Sequence, residues 1–172
     1  MSTPPKDPLR PFDDAAALTL ARLIRDHRQA ALATLSDGRP SVSMVACVPE
    51  SGFDGFLLHL SDLAAHKRHL RADPRCSLLV FEPDDPRVEV LMRKRVSLDC
   101  TAAVIDKASP AYESAKATYL ASLPKHQMMF QLGDFDLVRL APTGGLLNAG
   151  FGQAYRLTPD ELAMAALAAA EM

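Results

Sequence analysis

The sequence predicts an α+β protein, mostly β, in which an antiparallel sheet or barrel carries peripheral helices. Three observations lead there. Strand-like runs follow one another through short turns, which favours antiparallel pairing, because parallel neighbours need a long crossover. Asp37-Gly38 stands between two such runs and is a strong hairpin signal. Helical patterns separate groups of strands rather than alternating with single ones, which does not suit a doubly wound sheet. The 172 residues are about one domain's worth, without an internal repeat or linker. The Pro-rich stretch 1–12 reads as a flexible arm and residues 13–172 as one domain.

Each element has its own signal. Residues 13–28 predict a helix: Asp13 or Asp14 can cap it, and Ala17, Leu20, Ala21 and Ile24 recur at helical spacing. Strands over 30–36 and 39–48 flank the hairpin turn. A loop over 49–55 and a third strand over 56–61 follow. A helix is expected after Ser61-Asp62. Residues 75–83 read as a fourth strand. Residues 88–106 are too long for one flat strand and should bend or break near Arg93-Lys94. Ser109 as cap and Pro110 in the first turn open a helix over 109–124. Strands are expected over 135–142 and 146–157, with Gly144-Gly145 as the turn between them. Gly150-Phe151-Gly152 marks a bend or a close backbone approach. Thr158, Pro159 and Glu161 open the last helix with capping-box spacing.

Composition narrows the function. The formal net charge of -2 gives no basic excess for nucleic acid. No apolar run approaches the length of a membrane span, and the first residues lack the apolar region of a signal peptide. A cytoplasmic protein is expected. Cys47, Cys76 and Cys100 are odd in number and lie in apolar runs, so buried reduced thiols are expected. No carboxylate pair, nucleophile elbow or P-loop is present, and His66 and His69 lack partners for a metal site.

The stretch LSDLAAHKRHLRADP, residues 60–74, is the candidate site. On a helical wheel Leu63 and Leu70 mark the inward stripe, and Lys67 falls on the same stripe. His66 flanks it. Arg68, His69 and Arg71 point more toward solvent. An inward lysine either snorkels to water or meets an anion. A helix N-terminus with the Ser61 hydroxyl and Lys67 makes a phosphate seat. Equally, Ser61 or Asp62 merely caps the helix.

Residues 31–48, 56–83 and 93–105 carry, in order, a hairpin, a strand, an S-x-L-x-x-H-K-x-x-L helix and a DPR-x-SLL strand. In that order they resemble the pyridoxamine 5′-phosphate oxidase-like group of FMN-binding split β-barrels. The later stretch FDLVRLAPTGGLLNAGFGQAYRL resembles the haem-utilisation branch of that group. The resemblance implies an antiparallel split β-barrel and a homodimer with FMN at its interface. It maps Ser43, Met44 and Val45 to the flavin ring. It maps Leu60, Ser61, His66 and Lys67 to the phosphate, with Lys67 as main contact. Arg95 maps to the pyrimidine edge. The Arg-x-His segment that binds substrate in true pyridoxamine phosphate oxidases has no counterpart in ELAMAALAAAEM, so the vitamin B6 reaction is not expected. The expected function is an FMN-dependent oxidoreductase on a small substrate. Haem binding or degradation, a non-catalytic flavin module and a deazaflavin cofactor are the alternatives.

Overall fold

A computed structural model describes residues 9–172. Its first helix, α1 (Asp14–Asp26), is capped by Asp13, whose carboxylate accepts from the Ala16 amide at 2.8 Å. Asp37 and Gly38 both adopt positive φ, 50° and 75°, between β1 (Gln29–Ser36) and β2 (Arg39–Ala46). Such a pair gives a two-residue turn whose twist matches the strands it joins. There follow β3 (Val48–Pro49), β4 (Phe56–Ser61), α2 (Ala65–Ala72), β5 (Arg75–Phe81) and β6 (Arg95–Val104). The chain ends through α3 (Pro110–Ser122), a 3-10 segment over 124–131, β7 (Phe135–Asn148), β8 (Ala154–Leu157) and α4 (Pro159–Ala170). The Thr158–Glu161 capping box of α4 is formed.

All strand pairs are antiparallel, in the order β2-β1-β5-β6-β7-β4-β3, with β8 also on β7. The sheet curls into a half-barrel, the split-barrel form the resemblance implied. β1 stays with β5 for only three residue pairs, Ala31–Leu79 to Ala33–Ser77, and then leaves it. A hollow of about 410 Å³ opens where they part, with Cys76 and Cys100 among its lining. Leu32, Leu78, Leu98, Leu140 and Leu147 fill the interior under α1 and α4. A second, smaller core forms where Tyr112, Ala115 and Tyr119 of α3 cover Leu57 and Leu137. The three cysteines are free and buried, as expected.

Several expected boundaries shift. The strand expected over 39–48 breaks at Cys47, so β3 starts afresh on β4. The 88–106 stretch divides as expected near Arg93-Lys94, into a 3-10 turn over 90–92 and β6. Ser109 does not cap α3 with its side chain, because its hydroxyl donates to the Asp106 carbonyl instead. Of the expected arm, residues 1–8 lie outside the described residues. Arg10 donates its amide to the Ala154 carbonyl, and Phe12 packs edge-on against Tyr155. No helix among the described residues is long and apolar enough to cross a membrane.

Gly144-Gly145 is not a turn. Both residues lie inside β7, and the reversal falls at 149–153, where Gly150 and Gly152 take positive φ. The double glycine answers a packing need. A register shift between Asp99 and Cys100 draws β6 over this point, and a Cβ on Gly145 would stand 2.3 Å from the Ser97 carbonyl oxygen. That contact is with backbone, which yields little. Gly145→Ala is therefore expected to destabilise the fold by roughly 1–3 kcal/mol. A urea midpoint equal to wild type would show that the strands can separate freely here.

Candidate cofactor site

The stretch that predicted a phosphate seat folds as two parts. Residues 61–64 form a turn that leaves β4, and α2 starts only at Ala65, with Ala64 at its cap position and no side-chain cap bond. Leu63 therefore lies outside the helix and is 86% exposed, so the expected Leu63–Leu70 stripe does not form. Leu70 alone is buried, together with Lys67. Ser61 does not cap α2. Its hydroxyl donates to the Asp134 carboxylate at 2.5 Å and accepts from the Leu63 amide at 3.1 Å.

Lys67 is 1% exposed, so it points inward as expected, but it neither snorkels nor waits for an anion. Its ammonium meets Asp62 at 3.0 Å, Asp136 at 2.9 Å and the Asp134 carbonyl at 3.0 Å. An ammonium has three N–H donors, and three acceptors surround this one. Arg71 reaches the same two carboxylates at 2.7 and 3.2 Å, and Lys107 reaches Asp136 at 3.3 Å. The hydrogen bond from Lys67 holds the Asp62 carboxyl below the usual carboxylate range. Burial raises the Asp136 carboxyl, yet bonds from Lys67 and Lys107 bring it below that range as well.

The histidines divide by environment. His66 is half-buried, and burial with the nearby His69 lowers its pKa, so its ring is neutral near pH 7. His69, expected toward solvent, is half-buried and shares a 3.0 Å hydrogen bond with Thr34. His27 closes α1 with its Nδ1 on the Leu23 carbonyl at 2.8 Å. His126 bonds the Tyr119 hydroxyl at 2.9 Å. His59 lies flat on Phe130, ring centroids 3.8 Å apart. Among the described residues, no group of three His, Cys, Asp or Glu side chains could hold a metal ion.

The remaining expected site residues lie elsewhere on the sheet. Ser43 and Val45 oppose Leu32 and Ala30, on the inward face of β2, and Leu60 is buried in the main core. Met44 is on the outward face. Register puts Met44, Ala31, Leu79, Ser97 and Leu146 in one outward row across five strands, roughly 19 Å wide. Val42 and Ala33 stand in the neighbouring row on one side, with Ser77 and Asp99, and Phe81 and Arg95 in the neighbouring row on the other. Val42 is 68% and Met44 70% exposed. Arg95 donates to the Arg93 carbonyl at 3.1 Å, and exposed Arg156 pairs with Leu146 at the end of the first row. The structure thus joins Ser61 to Lys67 through Asp134 and puts Met44 and Arg95 on one outer face. It does not join the two groups. Asp134, Asp136 and the outer row escaped the sequence. A polar Asp136 leading the inward series Val138 and Leu140 was the available signal for the first.

A flavin phosphate would need free donors at this seat. Lys67 has none to spare, the Ser61 proton goes to Asp134, and His66 is neutral. Two carboxylates occupy the Lys67 ammonium and a third the Ser61 hydroxyl, the groups a phosphate dianion would need. The residues do not fit the phosphate of FMN.

The half-barrel with α2 leaving the end of β4 defines a class, and the comparisons agree on it. The pyridoxamine 5′-phosphate oxidase family matches residues 19–148, and this chain belongs to that family. Within it, the chain falls with the haem-utilisation branch. It is 31% identical over 137 residues to the haem oxygenase HutZ of Vibrio cholerae, covering 76% of this chain and 74% of that protein. It is 33% identical over 107 residues to the chloroplastic non-canonical haem oxygenase HOZ of Arabidopsis thaliana, covering 62% of this chain and 30% of that protein. Among solved structures, a haem-binding protein from Mycobacterium smegmatis superposes with a TM-score of 0.75 at 27% identity, over 90% of this chain and 61% of that one. The crystal structure of Vibrio cholerae HutZ superposes with a TM-score of 0.66 at 26% identity, over 72% of this chain and 87% of that one.

Proposed function

We propose that this chain is a haem-binding protein that acts as a homodimer, with haem held against the outward face of the sheet. The observation that carries the reading is that face: Met44, Ala31, Leu79 and Leu146 stand in one row interrupted by Ser97, with Met44 open to solvent and exposed Val42 in the row beside it. Exposed apolar side chains gathered on one face mark binding or interface surfaces. Haem is a flat apolar macrocycle with two carboxylates. The row from Met44 to Leu146 suits its ring, and Arg95 and Arg156 suit the carboxylates. Likeness to haem oxygenases and to a haem-binding protein supports the same cofactor. Haem breakdown is the activity that the name of the relative HutZ suggests, and iron chemistry would come from the haem itself. A cytoplasmic location is part of the reading, in accord with three reduced cysteines.

The test is a haemin titration followed by absorbance, with gel filtration of the same samples. A saturable Soret band on a dimeric species is expected. Met44→Asp places a charge in the row and should weaken haem uptake by roughly tenfold or more and shift the protein toward monomer. Unchanged uptake and unchanged size in that variant would sink the reading.

A further inference from the structure

We propose that Asp62 and Asp136 set the cofactor specificity of this barrel: by occupying Lys67 they exclude phosphate-bearing flavins. The inference stands on the geometry of α2 and β7 and does not require the haem reading. Lys67 sits at the end of the barrel with its ammonium enclosed, 1% exposed, between Asp62 at 3.0 Å and Asp136 at 2.9 Å. The third donor goes to a backbone carbonyl, Asp134 at 3.0 Å.

The surrounding charge reinforces the closure. Lys67, Arg71 and Lys107 pair with Asp62 and Asp136, and the Asp134 carboxylate, bonded to Ser61, stands beside them. Arg71 is spread between Asp62 and Asp136, so two of its N–H groups are already directed to the same carboxylates. Three amides around the helix start are used as well. Leu63 donates to the Ser61 hydroxyl, Ala64 to the Ser61 carbonyl and Lys67 to the Ala64 carbonyl. An incoming phosphate dianion would have to displace carboxylates that are already bonded, and would meet their charge at contact distance. A neutral amide in place of each carboxylate keeps shape and an acceptor oxygen but removes that repulsion. The seat then holds three cations against one carboxylate, Asp134.

FMN and riboflavin are the probes, since they share ring and ribityl chain and differ only by the phosphate. Flavin fluorescence is titrated with wild-type protein and with the Asp62→Asn/Asp136→Asn variant. Wild type is expected to bind neither, or to bind both within roughly threefold. The double variant is expected to prefer FMN over riboflavin by roughly tenfold or more, with the preference lost on adding inorganic phosphate. A tenfold FMN preference in wild type would overturn the proposal, as would a folded double variant without preference. Thermal melts establish folding. If the double variant does not fold, Asp62→Asn decides: its carboxylate is 45% exposed, and a roughly threefold gain in FMN preference is expected, with no gain overturning the claim. Haemin uptake is measured on the same samples. A wild type that takes up no haem removes the haem reading and leaves this one intact.

Discussion

Lys67→Ala is expected to destabilise the protein by about 3–5 kcal/mol, the cost of removing one partner from a buried ion pair. The lysine is among the largest fully buried side chains. Its loss strips Asp136 of its shortest ion-pair contact and removes an aliphatic stem from the end of the barrel. Lys67→Met separates the two effects, because it keeps the stem and removes the charge. It should recover the packing part only. Arg71→Ala is the contrast. Arg71 touches the same carboxylates but is 49% exposed, and a solvated pair contributes about 1 kcal/mol or less. Urea midpoints measure all three. A Lys67→Ala variant within 1 kcal/mol of wild type would mean the ammonium is far better hydrated than its enclosure implies.

His59→Phe should flatten the dependence of stability on acid. His59 is 8% exposed, and its Nδ1 is buried without a hydrogen-bond partner. Burial, with repulsion from His126, Lys107 and Lys67, lowers its pKa to about 4, while Asp136 pulls the other way. The folded value lies below the unfolded value near 6.5, so the native state binds fewer protons. The contribution is therefore complete above pH 6.5 and is lost as pH falls toward 4. Over that window wild type should lose roughly 2–3 kcal/mol that the variant retains. Asp62 and Asp136, held below the carboxylate range, titrate lower and in both proteins. Phenylalanine also keeps the stacking with Phe130 and the contacts with Tyr119 and Phe135. Equal slopes for the two proteins between pH 6.5 and 4 would show that His59 does not titrate on unfolding.

Local chemistry was legible in the sequence and distant chemistry was not. Asp37-Gly38, the Asp13 cap and the Thr158–Glu161 box each act within a few residues, and each forms as read. Lys67 was rightly placed inward by helical spacing. Asp62 lay in view, but its other partners were invisible because Asp134 and Asp136 lie far along the chain, and only the pairing of Leu60 with Asp136 brings that carboxylate to the barrel end. An unpaired buried lysine looks like an anion seat until its partner is known. Gly144-Gly145 misled for a related reason. A double glycine serves a turn or a close approach equally well, and the choice rests on a neighbouring strand. Met44 and Arg95 were assigned to one flavin. In the sheet they share a face, with β1 and β5 between the strands that carry them.

The short seam between β1 and β5 has its own consequence. Three residue pairs join the first hairpin to the rest of the sheet on that side, whereas ten join β6 to β7. Few stitches lower the local opening energy of the hairpin relative to the six strands behind it, and the core contacts of Ala30, Leu32 and Val45 are what hold this flap down. That flap carries Val42 and Met44. The protein thus keeps two adhesive residues on loosely sewn cloth, and whatever covers them also closes the seam.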